Sequence, residues 1–198
     1  RSAVWLTLFS LADAGTAGSM TAPELLQSPR LSLHKPSEDN ASILFGSYVR
    51  DEQVTRYLMW RPHRTIADSE RIIQHFLQGW STGSEFCWFL FTRSDHELIG
   101  SIAARIKQHR VELGYVLTRS FWGRGLMLEA ISVVVQWAFT QPALFRVGAL
   151  CDTENHASAR VLEKAGFERE GILLRWAVHP NISDVPRDCY SYAKIRNI

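Results

Sequence analysis

The sequence predicts a mixed α/β fold: a central, mostly antiparallel sheet of about seven strands with helices on both faces, in the order β-α-α-β-β-β-α-β-α-β-β. Three observations carry this reading. Residues 86–117 hold successive strand-like segments, and the polar stretch Arg93-Ser94-Asp95-His96-Glu97 between the first two reads as a turn joining antiparallel neighbours. The last of them, Leu113-Gly114-Tyr115-Val116-Leu117, passes through a glycine-punctuated turn into a helix, and another strand follows, so a β-α-β crossover is expected. The helix over 125–140 is apolar nearly all round. Its polar residues Glu129, Ser132, Gln136 and Thr140 recur at spacings of three and four and form one narrow stripe, which marks a central, buried helix.

The other elements follow in order. Residues 30–34 alternate as a first strand, and Ser37 is an N-cap for a helix that puts Ala41, Leu44, Phe45 and Tyr48 on one face. Residues 54–60 form a short helical or irregular link. Thr65-Ile66-Ala67-Asp68 reads as a capping box opening a helix with Ile66, Ile73, Phe76, Leu77 and Trp80 inward. Residues 86–91 make an aromatic-rich strand, 98–103 its partner and 111–117 the next. Pro142 breaks the chain before a strand at 145–151. Asn155 caps a short helix with Ala157, Val161, Leu162 and Ala165 inward, ended by Gly166, and strands at 172–178 and 189–193 close the sheet.

The 198 residues suit one domain with a full core. A net charge of +2 without a basic stripe argues against nucleic acid, and no stretch approaches the ~20 apolar residues of a membrane span. Cys87, Cys151 and Cys189 show no CxxC spacing and read as reduced core residues of a cytoplasmic protein. His and Cys do not cluster at metal-ligand spacings, so no metal is expected. Residues 1–19 are expected to be an upstream extension outside the fold, ending at Gly18-Ser19-Met20, with 20–198 as the single domain. The apolar run from Ala3 and the sequence Ala12-Asp13-Ala14 leave a secretory signal as the alternative.

The turn after Leu117 is the first candidate site. Gly123 and Gly125 carry no Cβ and let a ligand approach the backbone, and the unpaired N–H groups opening the next helix attract an anion such as a pyrophosphate. A dinucleotide fingerprint would want glycine at position 128, which is Leu128.

With these residues in this order, the chain resembles the GNAT superfamily of acetyl-CoA-dependent N-acetyltransferases, and within it the RimJ/RimL-like ribosomal-protein group. Six stretches carry the resemblance: Ser28-Pro29-Arg30-Leu31; Val54-Thr55-Arg56-Tyr57-Leu58 with Trp60-Arg61-Pro62-His63; Leu113-Gly114-Tyr115-Val116-Leu117 with Trp122-Gly123-Arg124-Gly125; Asn155-His156-Ala157-Ser158; Leu162-Glu163-Lys164-Ala165-Gly166-Phe167; and Glu170-Gly171 with Arg175, Asp188 and Tyr190. It implies acetyl transfer from acetyl-CoA to a primary amine, either a protein N-terminus or a small molecule, by direct attack. A non-catalytic CoA-binding sensor is the alternative. The implied cofactor contacts are Tyr115, Val116, Leu117, Trp122, Gly123, Arg124, Gly125, Leu126, Asn155 and Ser158, with amides near Val116 and Leu117 as donors to the acetyl carbonyl. The chain departs from the superfamily in two places. Ser120 stands where a Gln or Arg is common, and Leu162 where many members carry a Tyr proton donor.

The reaction needs a base for the amine proton and help for the leaving sulfur. Glu112, pointing opposite to Val111, Leu113 and Tyr115, is the first candidate for base, acting through water, with His109, Glu170 and Asp188 behind it. Ser158 is the candidate donor at the sulfur, and Trp60 and His63 are candidates for lining the acceptor cleft. The partners expected are acetyl-CoA and an amine acceptor, with no nucleic acid and no membrane, for a chain acting as monomer or homodimer.

Overall fold

β3 (Glu85–Thr92) is the spine of the structure: each of its eight residues is buried, because helices cover it on both faces. The computed structural model describes residues 20–197, so the expectation for residues 1–19 lies outside the described residues. The sheet has eight strands in the order β1-β2-β3-β4-β5-β6-β8-β7. They are β1 (Leu25–Gln27), β2 (Leu31–His34), β3, β4 (Leu98–Lys107), β5 (Arg110–Leu117), β6 (Arg146–Asp152), β7 (Glu168–Ala177) and β8 (Arg187–Ile195). Among the described residues only the β5–β6 pairing is parallel. It closes the expected crossover through α4 (Leu126–Thr140).

The eighth strand is β1, which the sequence reading did not include. It is three residues long and lies on the sheet edge against β2, too short for alternation to register. The segment after Ser37 is also not one helix. It divides into a 3-10 turn, α1 (Ala41–Phe45) and a second 3-10 turn at Tyr48–Arg50, with Gly46 and Ser47 at the break. α2 (Glu52–Thr55) follows, capped by Asp51, whose carboxylate accepts the amides of Gln53 and Val54. α3 (Ile66–Thr82) opens at Thr65, where the Asp68 carboxylate accepts the amides of Arg64 and Thr65 at 3.0 and 2.9 Å. These backbone bonds hold Asp68 down at a pKa of about 2. Ile66, expected inward, is 40% exposed, since it sits at the first helical position before the helix reaches the sheet.

The two sheet faces carry separate cores. α4 and α5 (His156–Lys164) pack on one face against alternate residues such as Trp88, Ile102, Leu113 and Val147. α1 and α3 pack on the other against Cys87, Phe89 and Ala103. α4 contributes Leu126, Met127, Ala130, Ile131, Val134, Val135, Trp137 and Ala138 to the interior, while Ser132, Gln136 and Thr140 stay exposed. Trp80, Phe86, Trp88 and Trp137 meet largely edge to face, an arrangement aromatic rings favour beyond their buried area. The three cysteines are free and buried.

Candidate active site

β5 and β6 begin side by side and then part. Their register runs from Arg110↔Arg146 to Leu113↔Ala149 and stops there, while β5 continues to Leu117 against β4. The far half of β5 therefore has one unpaired edge, opening a fork whose vertex is at Leu113. On the β4 side, the Thr118 amide donates to the Ile99 carbonyl at 2.7 Å. Antiparallel alternation then turns Val116 toward β4 and the amides of Tyr115 and Leu117 toward the fork. Of the two amides expected near the acetyl carbonyl, that of Leu117 lies on the open edge and that of Val116 faces β4, while the Tyr115 amide also lies on the open edge. The Leu117 carbonyl is occupied by the Trp122 indole, which donates to it at 2.6 Å.

The open edge leads straight to the glycine turn. Gly123 and Gly125 have φ of +73° and +76°, in the left-handed region that favours glycine. A Cβ on Gly123 would meet nothing within 4 Å, so the turn is open to an approaching group. Gly125 is the N-cap of α4 and no side chain caps the helix, leaving its first amides free for an anion. Arg124 lays its guanidinium over the Phe121 ring, 5.0 Å from the centroid.

A brace that sequence reasoning missed holds this turn. Arg30 donates through Nη2 to the Arg124 carbonyl at 2.9 Å and through Nε to Glu129 at 2.5 Å, and Ser28 donates to the same carboxylate at 2.8 Å. Burial raises the Glu129 carboxyl, but the bonds from Ser28 and Arg30 outweigh it and keep the group below the usual carboxylate range. The signal available was Glu129 itself, the one charged residue of α4.

At the vertex, Ser158 stands in the first turn of α5. Asn155 caps that helix, its Oδ1 accepting the Ser158 amide at 3.1 Å. The Ser158 hydroxyl lies 2.7 Å from the Tyr115 hydroxyl. Leu162 is fully buried one turn further on. Glu112 is on the opposite sheet face, beside Gly148 of β6 and across from Arg105 of β4. Arg105 is paired instead with Glu85, Nε to Oε1 3.0 Å, so among the described residues the Glu112 carboxylate has no ion-pair partner. The lesser base candidates are engaged or distant. Glu170 is bound by Arg146, and Asp188 accepts the Arg175 amide at 2.7 Å. His109 is exposed in the β4–β5 turn, at the end of β5 away from the fork.

Trp60 and His63 belong to the link between α2 and α3. His63 Nδ1 lies 2.8 Å from the Ser69 hydroxyl, and burial lowers the pKa of the ring. Asn181, in the β7–β8 loop, donates to the carbonyls of Thr55 and Trp60, and the Tyr57 hydroxyl donates to the Glu154 carbonyl. The link is therefore tied to the turn that carries Asn155. A cleft of about 580 Å³ lies elsewhere, around Glu24, His34, Lys35 and Leu77 at the outer sheet edge. Among the described residues there is no cluster fit for a metal and no helix long and apolar enough to cross a membrane.

Known proteins share this fold. Residues 30–168 match the Acetyltransferase (GNAT) domain family. The chain is 33% identical over 175 residues to the Bacillus subtilis (strain 168) protein named Uncharacterized N-acetyltransferase YoaA, covering 87% of this chain and 98% of the relative. RimL, a ribosomal L7/L12 alpha-N-protein acetyltransferase solved in complex with coenzyme A, superposes with a TM-score of 0.79 at 20% identity, over 87% of this chain and 98% of that one. The Microcin C7 self immunity acetyltransferase MccE, solved with acetyl-CoA and AMP, does so with a TM-score of 0.77 at 20% identity, over 85% and 94%. The chain belongs to the GNAT acetyltransferase family. Within that class it is an acetyl-CoA-dependent N-acetyltransferase.

Proposed function

We propose that the protein transfers the acetyl group of acetyl-CoA to a primary amine presented at the β5–β6 fork, the amine being a protein N-terminus. A small-molecule amine is the second reading, since the MccE structure holds AMP and RimL is a protein acetyltransferase. The observation that carries the proposal is the continuity of the site. The uncapped α4 terminus and open glycine turn suit a pyrophosphate, the free β5 edge suits an extended amide-bearing arm, and the vertex brings Ser158 and Glu112 to the two faces of the sheet.

The residues present fit acetyl-CoA, which when bound supplies the activated acetyl thioester. Amides of Leu126 and Met127, with Gly123, Arg124 and Gly125, hold the phosphates. The Tyr115 and Leu117 amides orient the arm and donate to the carbonyl as it gains negative charge. Trp122 closes over the arm, while Asn155 fixes the α5 terminus beside the sulfur. Glu112 accepts the amine proton through a water, Ser158 donates a hydrogen bond toward the sulfur, and Trp60 and His63 wall the acceptor side.

Three measurements test this. Acetyl-CoA at a hundredfold excess over its dissociation constant stabilises the fold by about 2.7 kcal/mol and raises the melting temperature, whereas NADH does not. Absence of any shift with acetyl-CoA or CoA overturns the reading. In an acceptor screen that reads free-thiol release, peptides with free N-termini turn over and their N-blocked counterparts do not. Turnover confined to small amines would select the second reading. On whichever acceptor works, Glu112→Gln is expected to lower kcat at least tenfold, and Ser158→Ala to lower it about tenfold at unchanged acetyl-CoA affinity. A full rate at every pH in either variant removes that residue from the mechanism.

A further inference from the structure

We infer that Tyr115 is a positioning residue for the transfer reaction: its phenol donates to the Ser158 oxygen, so that the Ser158 hydrogen is left to point at the departing sulfur. This rests on the reading of the fork given above. It assigns a role to a side chain that the sequence reading used only for cofactor contact.

The geometry comes from two elements that meet at the vertex. Tyr115 is two residues past the last β5–β6 pair, on the face covered by α4 and α5. Its hydroxyl lies 2.7 Å from Ser158 Oγ and 3.5 Å from the Ser158 carbonyl. Asn155 holds the Ser158 backbone, so the serine oxygen is fixed from both sides. Of the two hydroxyls the phenol is the stronger acid and hence the better donor. With the serine oxygen accepting from the phenol, the serine hydrogen is left for a third group, either the departing sulfur or the Cys151 thiol that also reaches Ser158, and a chain of hydrogen bonds strengthens that outer donor. Burial holds the phenol well above its ordinary pKa, so Tyr115 keeps its proton at neutral pH. The Tyr192 phenol donates to the Glu163 carboxylate at 2.9 Å, and the Asp152 carboxylate also lies near Cys151. Burial pushes Cys151 on β6 up to about 11 and Tyr192 on β8 up to about 12. The arrangement makes sense of Leu162. Where an aromatic hydroxyl is missing from α5, β5 supplies one from the opposite side.

In the reaction the amine nitrogen bonds to the acetyl carbon, the carbon–sulfur bond breaks with its electron pair on sulfur, and the amine proton leaves through water to Glu112. Nothing is oxidised or reduced. Tyr115 and Ser158 exchange no net proton in this step. They stabilise the charge on sulfur, and so they must also lower the pKa of a CoA thiol bound at the same place.

That thiol is the test, because it reads the pair without turnover. CoA is bound to the wild type, Tyr115→Phe, Ser158→Ala and the double variant, its affinity is measured by calorimetry, and the thiolate is followed by ultraviolet absorbance across pH. The expected result is a bound-thiol pKa lower in the wild type than in free CoA, raised by about half to one unit in Tyr115→Phe, with CoA affinity at neutral pH nearly unchanged. Turnover is expected to fall roughly threefold to tenfold in kcat. Adding Tyr115→Phe to Ser158→Ala should cost little more, while Ser158→Thr should keep the wild-type thiol pKa. If Tyr115→Phe binds CoA normally and leaves the thiol pKa unchanged, or if the two substitutions add fully, the inference is overturned while the acetyltransferase reading stands. If CoA does not bind the wild type at all, both fall.

Discussion

Gly125→Val is expected to weaken acetyl-CoA binding at least tenfold, about 1.4 kcal/mol, while the fold is retained. Two effects act together. The residue has φ +76°, and holding a β-branched side chain in the left-handed region costs on the order of 1–3 kcal/mol, which the helix start relieves by shifting. A Cβ there would also lie 3.5 Å from Arg30 Nη2, the atom that grips the Arg124 carbonyl, so the branched methyls press on the brace that shapes the turn. The same methyls project where a phosphate approaches the backbone amides. Gly123→Ala separates these causes, since its φ is +73° but its Cβ meets nothing. It should weaken binding less than Gly125→Val. Calorimetric titration gives the affinities, and far-ultraviolet circular dichroism checks the fold. An unchanged affinity in Gly125→Val would mean that the turn is only structural.

Much of this site was legible in the chain because it is local. The strand, the two glycines and the all-round apolar helix lie within 30 residues, and their periodicities change from two to 3.6 at the turn. Asn155 as cap was legible for the same reason. What stayed hidden depends on distant pairs. Arg30 and Glu129 are 99 residues apart, and Tyr115 and Ser158 are 43 apart. The closing strands show the limit from the other side. β7 slips register between Leu173 and Ala177, with Arg175 at φ +47°, so its alternation could not be extrapolated along the strand.

Asp152→Ala is expected to destabilise the protein most among changes outside the cradle. Asp152 ends β6 with its side chain fully buried. It accepts Arg187 Nε at 2.5 Å and Nη2 at 3.1 Å, as well as the Glu154 amide at 2.9 Å, and His179 Nε2 lies 3.5 Å away. Removing one partner of a buried pair costs about 3–5 kcal/mol, and the low end applies because Arg187 is partly exposed. It also keeps Glu154 at 2.8 Å. About 3 kcal/mol corresponds to a fall in melting temperature of roughly 6–12 °C for a domain of this size. The pH dependence gives a second readout. Burial raises the Asp152 carboxyl, but Arg187 and the Glu154 amide outweigh it and hold the folded pKa below normal. Its contribution is therefore complete above about 3.9 and is lost as the pH falls through the folded value. Burial lowers the pKa of His179, so the unfolded chain takes up that proton first and stability also declines below about 6.5. Asp152→Asn keeps an acceptor and the shape, so it should cost less than Asp152→Ala and abolish only the more acidic of the two losses. The consequence reaches the fork, since the Asp152 carbonyl accepts the Asn155 amide and its carboxylate sets the turn before α5. Asp152→Ala should lower kcat below the melting transition by loosening Ser158. A melting temperature equal to that of the wild type would show that Arg187 and Glu154 hold the turn without it.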